Sequence, residues 1–152
     1  MESKPTLTEL YSAEEIQARV SDMAARISST LKTKHLFGLV VLSGAFYFAA
    51  DLTRQLEGFE EVELEFIRLQ SYSGTSSSGE VRIRGGMPQV AGRDVLVIED
   101  LLDTGLTLAS LSDILTANGA RSVRYAVLID KRPKRSHELA ADFVAFELDE
   151  DA

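Results

Sequence analysis

The fourteen residues VLVIEDLLDTGLTL, Val95 to Leu108, constrain this chain more than any other stretch. Val95 to Ile98 is apolar throughout and mostly β-branched, the pattern of a strand covered on both faces by helices in a parallel sheet. Glu99 and Asp100 then stand at its carboxyl end. Open α/β sheets bind ligands at that edge, where loops leave the strands and helices present their amino termini. Asp103, Thr104, Gly105, Leu106 and Thr107 follow in one short loop. Gly105 lets the backbone turn sharply and approach a ligand closely. The Thr hydroxyls can donate, and a helix starting near Thr107 adds unpaired N–H groups with a positive dipole end. Such a loop suits a phosphate monoester. Strand-end acids also occur in nucleotide hydrolases and phospho-acceptor domains, and some merely cap helices. The hydrolase version needs a G-x-x-x-x-G-K-[ST] loop, and no Gly-Lys pair occurs anywhere in the chain.

At 152 residues, 45% of them hydrophobic, the chain can bury one sizeable core in a single domain, 1–152. It has no Cys, which excludes disulfides and thiolate metal sites. With no apolar amino-terminal segment it fits a reducing cytoplasm better than export. No run is long enough to span a bilayer. The net charge of −8 argues against a nucleic-acid surface, which relies on clustered Lys and Arg.

Residues 1–12 read as an amino-terminal arm. Ser12 with Glu15 forms a capping box, and Tyr11 and Ile16 occupy the staple positions around it. Val20, Met23, Ala24, Ile27 and Leu31 continue at helical spacing, which predicts a structural helix from Ala13 to Leu31. Leu36 to Leu42 reads as a buried strand and Gly44 to Leu56 as the next helix, with Phe46, Tyr47 and Phe48 in the core. Ser43-Gly44 joins them, and as residues alone this is an ordinary strand-to-helix turn. Val62 to Gln70 alternates as a half-exposed strand toward the sheet edge, with Glu63 and Glu65 on its solvated face. Ser71 to Gly79 is rich in Ser and Gly, and its place between strands makes it a mobile lid on a two-stranded flap, with Val81 to Arg84 returning. Thr107 to Asn118 reads as a helix, Val123 to Ile129 and Phe143 to Phe146 as strands. Asp130-Lys131-Arg132-Pro133 is a basic turn at the same sheet edge as the acids. His35 and His137 both read as exposed, with nothing nearby to complete a metal or catalytic set. The fold class is α/β: a mainly parallel twisted sheet flanked by helices, with a flexible flap loop.

Val95 to Leu108 resembles the diphosphoribosyl-binding signature of type I phosphoribosyltransferases. Asp103 makes it most similar to the 6-oxopurine branch, the hypoxanthine-guanine phosphoribosyltransferases, since adenine and orotate relatives usually carry Ala there. The resemblance implies Mg2+-dependent displacement of diphosphate from phosphoribosyl diphosphate by N9 of a 6-oxopurine, giving IMP or GMP. Glu99 and Asp100 would then hold the ribose hydroxyls, directly or through Mg2+. Asp103 would be the general base near purine N7. Backbone amides from Thr104 through Gly105 and Leu106 to Thr107, with both Thr hydroxyls, would bind the 5′-phosphate. Leu101 would line the base pocket. Ser43 and Gly44 would form the diphosphate loop, where the family often has Arg or Lys in place of Ser43. Ser71-Tyr72 would head the loop that closes over the diphosphate, and Lys131 would donate to the exocyclic oxygen of the purine. A homodimer or homotetramer is implied. The family's further segment, with its base-stacking aromatic, Gly-Tyr-Gly turn, second-metal Asp and basic residue, has no counterpart in Glu147 to Ala152. A second reading is a non-catalytic regulator of the same fold that binds phosphoribosyl diphosphate. A third is a xanthine- or adenine-directed transferase, which Asp103 opposes for adenine.

Overall fold

The computed structural model describes residues 10–71, 81–102, 105–131 and 141–148. Five parallel strands form the main sheet: β1 (His35–Val41), β2 (Glu61–Ile67), β5 (Asp94–Leu102), β6 (Ser122–Lys131) and β7 (Phe143–Leu148). Their order is β2-β1-β5-β6-β7. A separate antiparallel pair, β3 (Leu69–Ser71) with β4 (Val81–Ile83), is the base of the expected flap. The lid from Tyr72 onward lies outside the described residues, as do most of the arm, Asp103, Thr104, His137 and the last residues of the acidic tail.

Helices α1 (Ala13–Thr30) and α2 (Phe46–Thr53) cover one face of the sheet, and α3 (Leu106–Ala117) covers the other. The capping box forms as the residues dictate: the Glu15 amide donates to Ser12 Oγ at 3.1 Å, and the Ser12 amide donates to Glu15 Oε1 at 3.3 Å. Tyr11, at the staple position, stacks on Phe146 with ring centroids 4.1 Å apart. Toward the same strand α1 sends Arg19 to the Ala145 carbonyl at 3.2 Å and Arg26 to the Val144 carbonyl at 2.9 Å. Both acceptors lie on the edge strand β7, so the helix covers an edge that would otherwise invite pairing.

Five expectations need correction. Strand β5 does not stop at Ile98 but runs to Leu102, so Glu99 and Asp100 lie within it and remain on the ladder with β6. Val62 to Gln70 is not one strand: it breaks at Arg68, where the chain leaves the parallel sheet to pair as β3 with β4. The helix expected from Gly44 starts only at Phe46, because residues 42–45 form a turn in which the Phe46 amide donates to the Ser43 carbonyl at 3.2 Å. Of its three aromatic residues only Phe48 is core; Phe46 is 49% and Tyr47 80% exposed. At about 100° per residue three successive side chains cannot share one face. Phe48 holds the inner face with Ala49 and Leu52. Glu63, expected to be merely solvated, pairs with Arg93, whose guanidinium stacks over Phe37 at 4.7 Å.

Candidate active site

In this strand order β1 neighbours both β2 and β5, so successive connections run one way from β1 to β2 and the other way through β5, β6 and β7. The loops leaving β1 and β5 therefore diverge. A crevice at the carboxyl ends beside such a reversal is where open α/β sheets bind ligands.

The turn after β1 enters that crevice. It follows a cis peptide between Leu42 and Ser43, and it brings Gly44 against Asp100. A Cβ built on Gly44 would lie 2.9 Å from Asp100 Cγ and 3.3 Å from Oδ1. Only a residue without a side chain permits this approach. The expected diphosphate turn thus packs directly against one of the expected ribose acids, on the one sheet edge where both were expected.

Glu99 and Asp100 are both half-buried, and the Asp100 amide donates to Glu99 Oε1 at 2.8 Å. Burial, reinforced by hydrogen bonding to the neighbouring Asp100 carboxyl, pushes the Glu99 carboxyl up to about 9. Two acids crowded where water is scarce cannot easily both ionise. A bound cation relieves that crowding. Mg2+ takes one or two carboxylates and completes its shell with water and substrate phosphate oxygens, so this pair suits it as a donor set. No cluster of three or more His, Cys, Asp or Glu exists among the described residues.

This crowding has a measurable consequence. Between roughly pH 4.3, where an unfolded Glu titrates, and about 9, the folded chain holds a proton that the unfolded chain has lost, so stability falls as pH rises. Glu99→Gln removes that penalty. We expect it to stabilise the metal-free protein by at least about 1 kcal/mol at pH 8, with a smaller gain at pH 5. Denaturant titration at the two pH values checks this, and a gain independent of pH contradicts it.

The other expected residues converge on this edge to different degrees. Leu101, 37% exposed on a strand that is otherwise largely covered, faces outward beside the acids. Gly105 adopts φ 90°, the left-handed turn expected of it, and caps α3 without a side-chain bond. Leu106 and Thr107 open that helix. An uncapped amino end carries backbone donors and the positive end of the helix dipole. Lys131 ends β6, beside the end of β5. Ser71 ends β3 and pairs with Val81 on the flap, not in the main sheet. Asp103, Thr104 and Tyr72 lie outside the described residues.

Sequence reading missed Asp130, which is buried at 4% exposure at the same edge. A cleft of about 380 Å3 lies on the opposite, amino edge, lined by Thr33, His35, Glu63, Arg93, Asp94 and Arg121 among others. Its arginines are occupied by Glu63 and Asp94, and Arg121 with Ser122 holds the Asp94 carboxyl well below the usual carboxylate range. That network closes the bottom of the sheet, and the chemistry-bearing groups stand at the other end.

Residues 6–152 match the family described as phosphoribosyl transferase domain. The chain belongs to this family. It is 38% identical over 141 residues to the hypoxanthine-guanine phosphoribosyltransferase of Bacillus subtilis, a match covering 91% of this chain and 77% of that protein. Among solved structures it is similar to a hypoxanthine-guanine phosphoribosyltransferase from Bacillus anthracis, with a TM-score of 0.86 and 31% identity over 98% of this chain and 86% of that one. The Trypanosoma cruzi hypoxanthine phosphoribosyl transferase gives a TM-score of 0.81 at 35% identity, covering 97% and 81%. The parallel sheet with helices on both faces is the fold that the phosphoribosyltransferase signature implied.

Proposed function

We propose that this member of the family is a hypoxanthine-guanine phosphoribosyltransferase, transferring the 5-phosphoribosyl group from phosphoribosyl diphosphate to N9 of a 6-oxopurine. The observation that carries the reading is the packing of Gly44 against Asp100, which supports a single site made of the proposed diphosphate turn and the proposed ribose acids. The names of the similar proteins favour an enzyme over a non-catalytic regulator.

In the reaction the bond from the anomeric carbon to diphosphate breaks as the bond to purine N9 forms, and positive charge builds on the ribose. Glu99 and Asp100 hold the ribose hydroxyls and favour that charge electrostatically. Their carboxylates would also hold Mg2+, which when bound supplies charge neutralisation to the diphosphate. Ser43 brings no cation to the diphosphate turn, so contact there is through backbone amides. The amides from Thr104 to Thr107, with the Thr104 and Thr107 hydroxyls, bind the 5′-phosphate at the start of α3. Asp103 takes the purine proton at N7. Leu101 lines the base pocket, and Lys131 donates to the exocyclic oxygen. An ammonium has no acceptor for a 6-amino group, and a site built on one buried polar contact rejects the mismatched ligand strongly. Ser71 and Tyr72 head a loop that closes over the diphosphate.

The reading includes a cytoplasmic enzyme, which the lack of Cys supports; among the described residues no helix is long and apolar enough to cross a membrane. It also includes a homodimer or homotetramer. Phe46, Tyr47 and Phe66 support this as an exposed aromatic cluster, with ring centroids 5.5 Å and 6.3 Å from Phe46. The reaction itself is tested by mixing protein, Mg2+, phosphoribosyl diphosphate and hypoxanthine and following IMP. Formation of IMP that stops on chelation of the metal is expected. Measurable donor binding without product points to the regulator.

A further inference from the structure

Among the described residues Asp130 is the only buried polar or charged side chain, at 4% exposure. A carboxylate withdrawn from water is tolerated only when other groups take up its charge and lone pairs, and Asp130 is indeed engaged. Its place is specific. It is the next-to-last residue of β6 and sits in register with Leu102 on one side and Glu147 on the other. Leu102, itself buried, immediately precedes Asp103, and Lys131 immediately follows Asp130. Apolar side chains fill the rest of this core, and burying an ionised group is a poor way to gain stability compared with a well-packed hydrophobic one. Among the described residues no ion pair takes up the Lys131 ammonium, whereas its neighbour Asp130 is withdrawn inside the fold.

We propose that Asp130 is a positioning residue for the purine half of the site: buried between the ends of β5 and β7, it fixes the end of β6 from which Lys131 reaches the base. A long, flexible ammonium side chain discriminates by a single hydrogen bond only if its root is held. Asp130 holds it. The proposal rests on the reading of Lys131 as the donor to the exocyclic oxygen, and the test separates the two.

The test is a double-mutant cycle on steady-state kinetics with wild type, Asp130→Asn, Lys131→Ala and the double variant. For Asp130→Asn we expect the hypoxanthine KM to rise about tenfold while the phosphoribosyl diphosphate KM stays within about threefold. Lys131→Ala should raise the hypoxanthine KM at least as much, with the donor again little affected. In the Lys131→Ala background Asp130→Asn should then add nothing further to that KM. Independent, multiplying effects overturn the proposal, because a residue that only stabilises the fold acts whether or not Lys131 is present. An unchanged hypoxanthine KM in Lys131→Ala alone overturns the base-reading lysine and the proposal with it, a failure seen without touching Asp130. Where Asp130→Asn does not fold, Asp130→Glu, which keeps the charge and displaces it by one methylene, takes its place in the cycle with the same expected coupling and the same contradicting result.

Discussion

Gly44→Ala lowers kcat/KM for phosphoribosyl diphosphate by at least about a hundredfold, the scale of loss that an ångström-level misplacement of reacting groups produces. The added methyl would fall 2.9 Å from Asp100 Cγ, inside any ordinary contact distance. Asp100 has a short side chain on a strand end and can rotate away, so the fold absorbs the change at a cost below about 1.5 kcal/mol. The rotation is what damages function. It carries the carboxylate away from the proposed ribose and Mg2+ position, or else pushes the turn at Ser43 and Gly44 out of the crevice. Kinetics beside a thermal melt check the prediction. Near-normal activity would mean that Gly44 and Asp100 do not share a site.

Asp103→Asn gives the second large effect. The amide keeps the shape of the side chain and removes its ability to accept a proton, so turnover falls at least about tenfold, within reach of the roughly 10²- to 10⁴-fold that a general base contributes. Donor affinity is retained, because in the proposed site the 5′-phosphate is held by the amides and hydroxyls around Gly105 and the ribose by the acids of β5. Single-turnover kinetics with a separate donor-binding titration distinguish the two quantities. An unchanged rate removes Asp103 from the role of base.

Much of the scaffold was legible because its signals are local. Apolar runs announced β1, β5 and β6 as buried strands and Phe143 to Phe146 as a short last one, the alternation of Val62 to Phe66 announced an edge, and Ser12 with Glu15 announced the start of α1. What escaped depends on partners distant in the chain. The end of β5 was placed too early because Glu99 and Asp100 interrupt the apolar run, although the ladder to β6 continues past them. The break at Arg68 is marked locally only by the successive apolar Phe66 and Ile67, which do not reveal that the chain changes its partner strand there. Arg93 claims Glu63 from thirty residues away. Phe46 and Tyr47 look like core by composition and are outward by helical geometry. Of the candidate site, the acids that interrupt the apolar run of β5 and the left-handed turn at Gly105 were legible, because both are local signals of the residues themselves. Contact between Gly44 and Asp100 was not, because it follows from strand order. Burial of Asp130 was hidden inside what reads as a solvated basic turn.

Transfer of the phosphoribosyl group to a 6-oxopurine is the reaction proposed for this chain. Its most direct test is product formation by the purified chain with Mg2+, phosphoribosyl diphosphate and hypoxanthine, guanine, xanthine or adenine in parallel, with donor binding measured on the same sample. We predict nucleotide from hypoxanthine and guanine and a kcat/KM for adenine lower by at least about 10⁴-fold, the rejection expected of a site built on a buried hydrogen bond. Bound donor with no nucleotide from any base, or adenine used as readily as hypoxanthine, would contradict the account.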